Sequence, residues 1–130
     1  MKIMKITKDL GICMDHASAH IMELTIDPIN TKNIVSKFTH QIKEDALEKS
    51  EKHMHNKEQH EQLEYYKEIA SVIRNYDDVI LFGPTDAKLE LFNLLKADHL
   101  FANIKIEIKE TDKMTENQEH AFVNEYFSKR

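Results

Sequence analysis

The sharpest feature in the pattern of apolar and polar positions is Val79-Ile80-Leu81-Phe82, four apolar residues closed at once by Gly83-Pro84. A short apolar run ended by Gly-Pro predicts a buried strand that stops abruptly. Pro84 cannot extend a sheet ladder but suits the first turn of a helix. Leu89, Leu91, Phe92, Leu94 and Leu95 then supply a wide apolar helical face, predicting a helix over about Thr85–Ala97. The unit is strand–turn–helix. In open α/β sheets, ligands and partners are met at the strand ends where such turns lie.

Taken in order, residues 1–8 are a loose lead-in or short edge strand. Leu10–Met14 predicts the first clear strand, and Asp15-His16-Ala17-Ser18 a tight connection, because Asp and Ser favour turns. His20–Ile26 predicts a returning strand with Met22, Leu24 and Ile26 on one face. Asp27-Pro28-Ile29-Asn30 is the next turn, and Asn33–His40 a third strand with Ile34, Val35 and Phe38 as its apolar members. Residues 43–59 are rich in charge and histidine and carry no apolar stripe. They predict an exposed loop or frayed helix, the most mobile part of the chain. Leu63, Tyr66, Ile69, Ala70 and Ile73 recur at helical spacing, predicting a helix over about Glu58–Asn75. Ile104, Ile106 and Ile108 alternate with Lys105 and Glu107 as an edge strand with one wet face. Thr115 stands three residues before Gln118, a capping-box signature, and Ala121, Phe122, Val123, Tyr126 and Phe127 supply the apolar contacts of a last helix.

The predicted order is βββ-α-β-α-β-α. Right-handed crossovers make the last strands parallel, with helices covering the sheet. A five-stranded mixed sheet in order 3-2-1-4-5, as in ribonuclease-H-like folds, satisfies this α/β chain. The Asp15 turn, the Gly83 turn and the loop Glu110–Met114 then leave the same rim.

Composition narrows the function classes. At 130 residues, with 41% apolar and 32% charged, one domain over residues 1–130 with a real core is expected. No run approaches the roughly 18 apolar residues of a membrane span, and no signal peptide follows Met1-Lys2-Ile3-Met4-Lys5. A single cysteine, Cys13, excludes an internal disulfide, fits a reducing cytosol, and reads as a buried inert thiol. A net charge of −5 argues against broad, non-specific nucleic-acid binding while leaving room for a local basic patch.

Several positions carry candidate chemistry. Gly83-Pro84-Thr85 opens a helix whose free N–H groups suit an anion such as an RNA phosphate, and Lys88, one turn in, adds charge. The bland alternative is that the turn only ends a strand and starts a helix. Thr111, Asp112 and Lys113 line the same rim, although Asp112 equally suits a capping or loop-fixing role. Asp15 sits where ribonuclease-H-like nucleases place a first-strand metal carboxylate. Two-metal catalysis needs several converging acids. Phe82 and Gly83 stand where a second acid is needed, and Glu61 or Glu64 completes the set poorly. His53, His55 and His60 form a His-x-His-x4-His cluster of possible zinc, nickel or copper ligands, for which solvated histidines are the simpler reading. His16 and His20 flank the tight turn and suit hydrogen bonds to backbone. The strand of Ile104, Ile106 and Ile108 and the third strand, as sheet edges, each invite pairing with a second copy of the chain, giving a homodimer.

Three phrases carry a resemblance. Ile80-Leu81-Phe82-Gly83-Pro84 with Lys88, Glu110-Thr111-Asp112-Lys113-Met114-Thr115, and Gly11-Ile12-Cys13-Met14-Asp15-His16, in their separations, resemble the middle domain of the archaeal and eukaryotic release-factor and Pelota superfamily. More narrowly they resemble its small stand-alone bacterial relatives. The resemblance covers most of the chain from about residue 10. It implies a translational machinery component-like fold and an association with ribosomes. Peptide-releasing factors of this family carry a Gly-Gly-Gln tip, and this chain has no adjacent glycines. The expectation is therefore a cytoplasmic, non-enzymatic module without a cofactor. It would dock on the ribosome or structured RNA through Asp15, His16, Gly83, Pro84, Thr85, Lys88, Thr111, Asp112 and Lys113. The rivals are a metal-dependent phosphoester or nucleic-acid hydrolase and a metal-handling histidine loop.

Overall fold

The computed structural model describes residues 8–24, 30–36 and 51–128; of residues 30 and 51–58 it describes the backbone alone. The elements are β1 (Asp9–Met14), β2 (Ser18–Glu23), β3 (Asn30–Val35), α1 (Glu51–Ile73), β4 (Asp78–Gly83), α2 (Ala87–Lys96), a 3-10 turn (His99–Phe101), β5 (Lys105–Glu110) and α3 (Glu116–Ser128). The five strands form one sheet in order β3-β2-β1-β4-β5, as the apolar pattern predicts. β1–β2 and β2–β3 pair antiparallel; β1–β4 and β4–β5 pair parallel.

Local chemistry explains where the strands begin. The Asp15 carboxylate accepts hydrogen bonds from the N–H groups of Ala17 (2.7 Å) and Ser18 (2.9 Å). That closes a tight Asx turn, so β2 starts at Ser18 rather than at the expected His20. Met14 then lies opposite Ala19, and every later register follows. β3 starts at Asn30, not Asn33, with Asn30 opposite Glu23 at the end of β2. Ile26, Phe38 and residues 27–29 of the expected turn lie outside the described residues, and Asn30, expected to close that turn, is already in β3. α1 starts at Glu51, seven residues before the expected Glu58. Residues 51–58 contain no Gly, Pro or β-branched residue to stop a helix, although they supply no apolar stripe. Of the exposed loop or frayed helix expected over 43–59, residues 51–59 are helical and 43–50 lie outside the described residues.

Alternation splits the core. Leu10, Ile12, Met14, Ala19, Ile21, Ile34, Val79 and Leu81 face one side, where Tyr65, Tyr66, Ile69 and Ile73 of α1 and Leu91 and Leu95 of α2 cover them. Met22, Ile80 and Phe82 face the other, beneath Val123 of α3. A Cβ on Gly11 would stand 2.4 Å from a Val123 methyl, so this glycine sets how closely α3 approaches β1. α3 starts as predicted: Thr115 N–H donates to the Gln118 side-chain oxygen, and Gln118 N–H donates to Thr115 Oγ1.

Candidate functional site

β1, β4 and β5 are parallel, so their C-terminal ends lie together. Gly83 ends β4 with φ +144°, a conformation that strains any residue with a side chain. A Cβ there would sit 2.2 Å from the Met14 carbonyl oxygen, so Gly83 packs directly on the end of β1. From the other side, Thr111 N–H donates to the Gly83 carbonyl at 3.3 Å. The Asp15 turn, the Gly83 turn and the Thr111–Lys113 segment therefore meet on one rim.

Each predicted rim residue has a definite place. Pro84, Asp112, Lys113 and His16 are exposed, and Thr85 is half-buried. Thr85 Oγ1 accepts from Ala87 N–H at 3.3 Å and so supports the start of α2. Thr111 Oγ1 is buried and has no hydrogen-bond partner among the described residues. Asp112 does not cap α3, because Thr115 does.

Lys88 departs from the expectation of a cation offered to phosphate. It is 1% exposed. Its Nζ donates to the Thr85 carbonyl and to both Glu110 oxygens, at 3.1 and 3.2 Å. Its aliphatic stem lies in the first turn of α2, and only an internal partner satisfies an ammonium there. Lys88 thus ties the Gly83 turn to the end of β5. Sequence alone offered a clue in the charge complementarity of Lys88 and Glu110 at two ends predicted to converge.

Asp15 is engaged in its own turn, and its carbonyl accepts from Tyr65 OH at 2.8 Å. Burial pushes the Tyr65 phenol well above the usual range, with Asp15 and Tyr66 adding to it. His16 and His20 bond to glutamates rather than to backbone. His16 Nε2 lies 3.2 Å from Glu90, whose other oxygen accepts from Tyr66 OH at 2.5 Å. Partial burial alone would raise the Glu90 carboxyl. The bonds from Tyr66 and His16, with the His16 charge, hold it below the ordinary range. His20 Nδ1 lies 2.8 Å from Glu119, a carboxylate 3% exposed beneath α3. The same carboxylate acts on the Cys13 thiol. Burial, then the Glu119 charge and hydrogen bond, push the thiol up to about 12. Sequence reasoning missed Glu119, whose burial on α3 no apolar period announces.

Among the described residues, no three His, Cys, Asp or Glu side chains form a group able to hold a metal ion. Glu61 and Glu64 lie on α1, half-buried and exposed, in a groove beside β3. His60 is exposed on α1, while the side chains of His53 and His55 fall outside the described residues. Among the described residues, no helix is long and apolar enough to cross a membrane.

Neither a family model nor a curated protein matches the chain. Solved structures do. The chain is similar to the Pelota protein of Thermoplasma acidophilum, with a TM-score of 0.61 and 15% identity over 92% of this chain. It is similar to Archaeoglobus fulgidus Pelota, with a TM-score of 0.59 and 11% identity over 97% of this chain. The fold is Pelota-like. It spans 32% of either Pelota chain, so the likeness is to one portion of those proteins. The translational machinery component-like architecture expected from the three sequence phrases is the one observed.

Proposed function

We propose that this chain is a translation-associated binding domain that docks on the ribosome or structured RNA through its rim and performs no peptide release. The observation that carries the reading is the meeting of three turns, distant in sequence, at Gly83. The likeness of fold to archaeal Pelota supports the choice of partner. The narrower likeness to stand-alone bacterial relatives, and a cytoplasmic location, belong to the same reading. Peptide release is left out because the two glycines, Gly11 and Gly83, are far apart and supply no Gly-Gly-Gln tip.

In this reading His16, Pro84, Thr85, Asp112 and Lys113 make the contact. Asp15, Gly83, Lys88 and Thr111 hold those residues in place. A nuclease reading gains nothing from the geometry, because the first-strand acid, Asp15, is engaged in its own turn. Sedimentation of tagged protein through a sucrose gradient tests the proposal. Wild type is expected to travel with ribosomal particles at low salt, and Lys113→Glu, substituted at an exposed site, to travel less. Absence of wild type from the particle fractions would sink it.

A further inference from the structure

The rim leaves a second surface unused. β3 is an edge of the sheet. Ser36 N–H donates to the Ala17 carbonyl at 2.7 Å, which sets the alternation of the β2–β3 ladder. Counting back in the observed register, Ile34 and Lys32 direct their backbone groups toward β2. Thr31, Asn33 and Val35 then direct their N–H and C=O groups outward. Among the described residues, no strand pairs with them. Such a row is a template for one more strand.

The surroundings of this edge select the strand's chemistry. A groove of about 290 Å³ runs between Val35 and α1, lined by Glu61, Glu64, Tyr65, Lys67 and Glu68. Glu61, Glu64 and Glu68 are spaced three and four apart, so they share one stripe of the helix. The stripe covers about 10 Å along the axis, the reach of two alternate residues and part of a third on an extended chain. Val35, 48% exposed, supplies apolar surface at the end of the edge.

We infer that β3 and the glutamate stripe of α1 form a strand-addition site for an extended, basic segment of a partner protein. Alternate residues of that segment are Lys or Arg facing α1, with β-branched or other apolar residues between them. RNA fits poorly, because phosphates meet three carboxylates and one lysine there. A second copy fits poorly too. Its own β3 brings only Lys32 to the stripe, and its own α1 adds further carboxylates.

The test uses the whole chain and a peptide of alternating Lys/Arg and Val, followed by amide NMR and hydrogen exchange. Protection of the Thr31, Asn33 and Val35 amides is expected. Binding should weaken on the order of tenfold in the triple variant Glu61→Gln/Glu64→Gln/Glu68→Gln, whose three solvent-accessible charge pairs each contribute modestly. Asn33→Pro removes one outward N–H at an edge position where proline is tolerated. It should abolish amide protection with thermal stability preserved. A peptide of the same charge with proline at alternate positions cannot form a strand and should not protect the edge. Four outcomes would overturn the inference: equal binding of the proline peptide, protection elsewhere, a single-stranded RNA oligomer protecting the same amides, or self-association that occupies them without peptide. None of these depends on whether the rim docks on ribosomes.

Discussion

The two faces of the sheet are held by different physics. On the face under α1 and α2, Leu10, Ile12, Ile69, Ile73, Leu81 and Leu91 are fully buried among one another. Apolar burial of this kind is strong but non-directional. Among the described residues, the apolar cluster buried under α3 is smaller: Met22, Ile80, Phe82 and Val123. There, polar ties fix the helix across the sheet. His20 bonds Glu119 at 2.8 Å, Thr31 bonds His120 at 2.9 Å, and Tyr126 OH donates to Glu107 on β5. The difference is one of proportion: α1 and α2 are seated mainly by shape and area, with the Tyr65–Asp15 and Tyr66–Glu90 bonds added, whereas α3, crossing β3 to β5 over fewer buried apolar residues, depends more on polar addresses. Hydrogen bonds supply those addresses, because each is satisfied in one position only.

The comparison predicts its own breaking points. The largest loss should follow Ile69→Ala beneath the helix pair, about 2–5 kcal/mol from lost burial plus a cavity; chemical denaturation measures it. Beneath α3, Gly11→Ala should cost about 1–3 kcal/mol by pressing on Val123. Adding Val123→Ala should recover part of that loss. No recovery would mean that α3 is not seated by this approach.

Glu119→Ala strips a partner from His20, and should cost about 1–3 kcal/mol. A double-mutant cycle with His20→Ala should show coupling of about 0.5 kcal/mol or more, as expected for residues in contact. Additive costs would remove the address role from this pair.

Base should loosen both faces. Cys13 moves from 9.0 to about 12, and Tyr126, by burial and then by its bond to Glu107, from 10.0 to about 12. The folded state therefore holds these protons after the unfolded chain has lost them. Stability is intact below pH 9 and falls as pH rises toward about 12. Removing the two groups, by Cys13→Ala and Tyr126→Phe, should flatten that fall and leave the part due to Tyr65 and Tyr66 under the helix pair. An unchanged slope would assign the base sensitivity to the helix-pair face alone.

The smallest effect belongs to His16→Ala. Its side chain is 46% exposed and its partner Glu90 50%, so solvent screens the pair and the loss should stay within about 1 kcal/mol. Glu90 sits below its ordinary range, so whatever this bond contributes is present above the ordinary carboxylate range and lost as pH falls through the lowered value. Thermal melts of wild type and variant should converge in acid.

The amino-acid sequence determined the elements and their order by itself. Runs such as Val79–Phe82, the Gly83-Pro84 stop, and the isoleucines of β5 report periods and punctuation, which are local properties of a chain. Parallel pairing of the last strands, and so the meeting of their ends, followed from the handedness of crossovers. Only the tertiary structure decided what the polar side chains do. Lys88 turned inward to Glu110, and Glu119 went beneath α3 to His20. A charged side chain is placed by partners arriving from distant parts of the chain. No period along the sequence encodes that meeting, so the backbone was legible before folding and the destination of its charges was not.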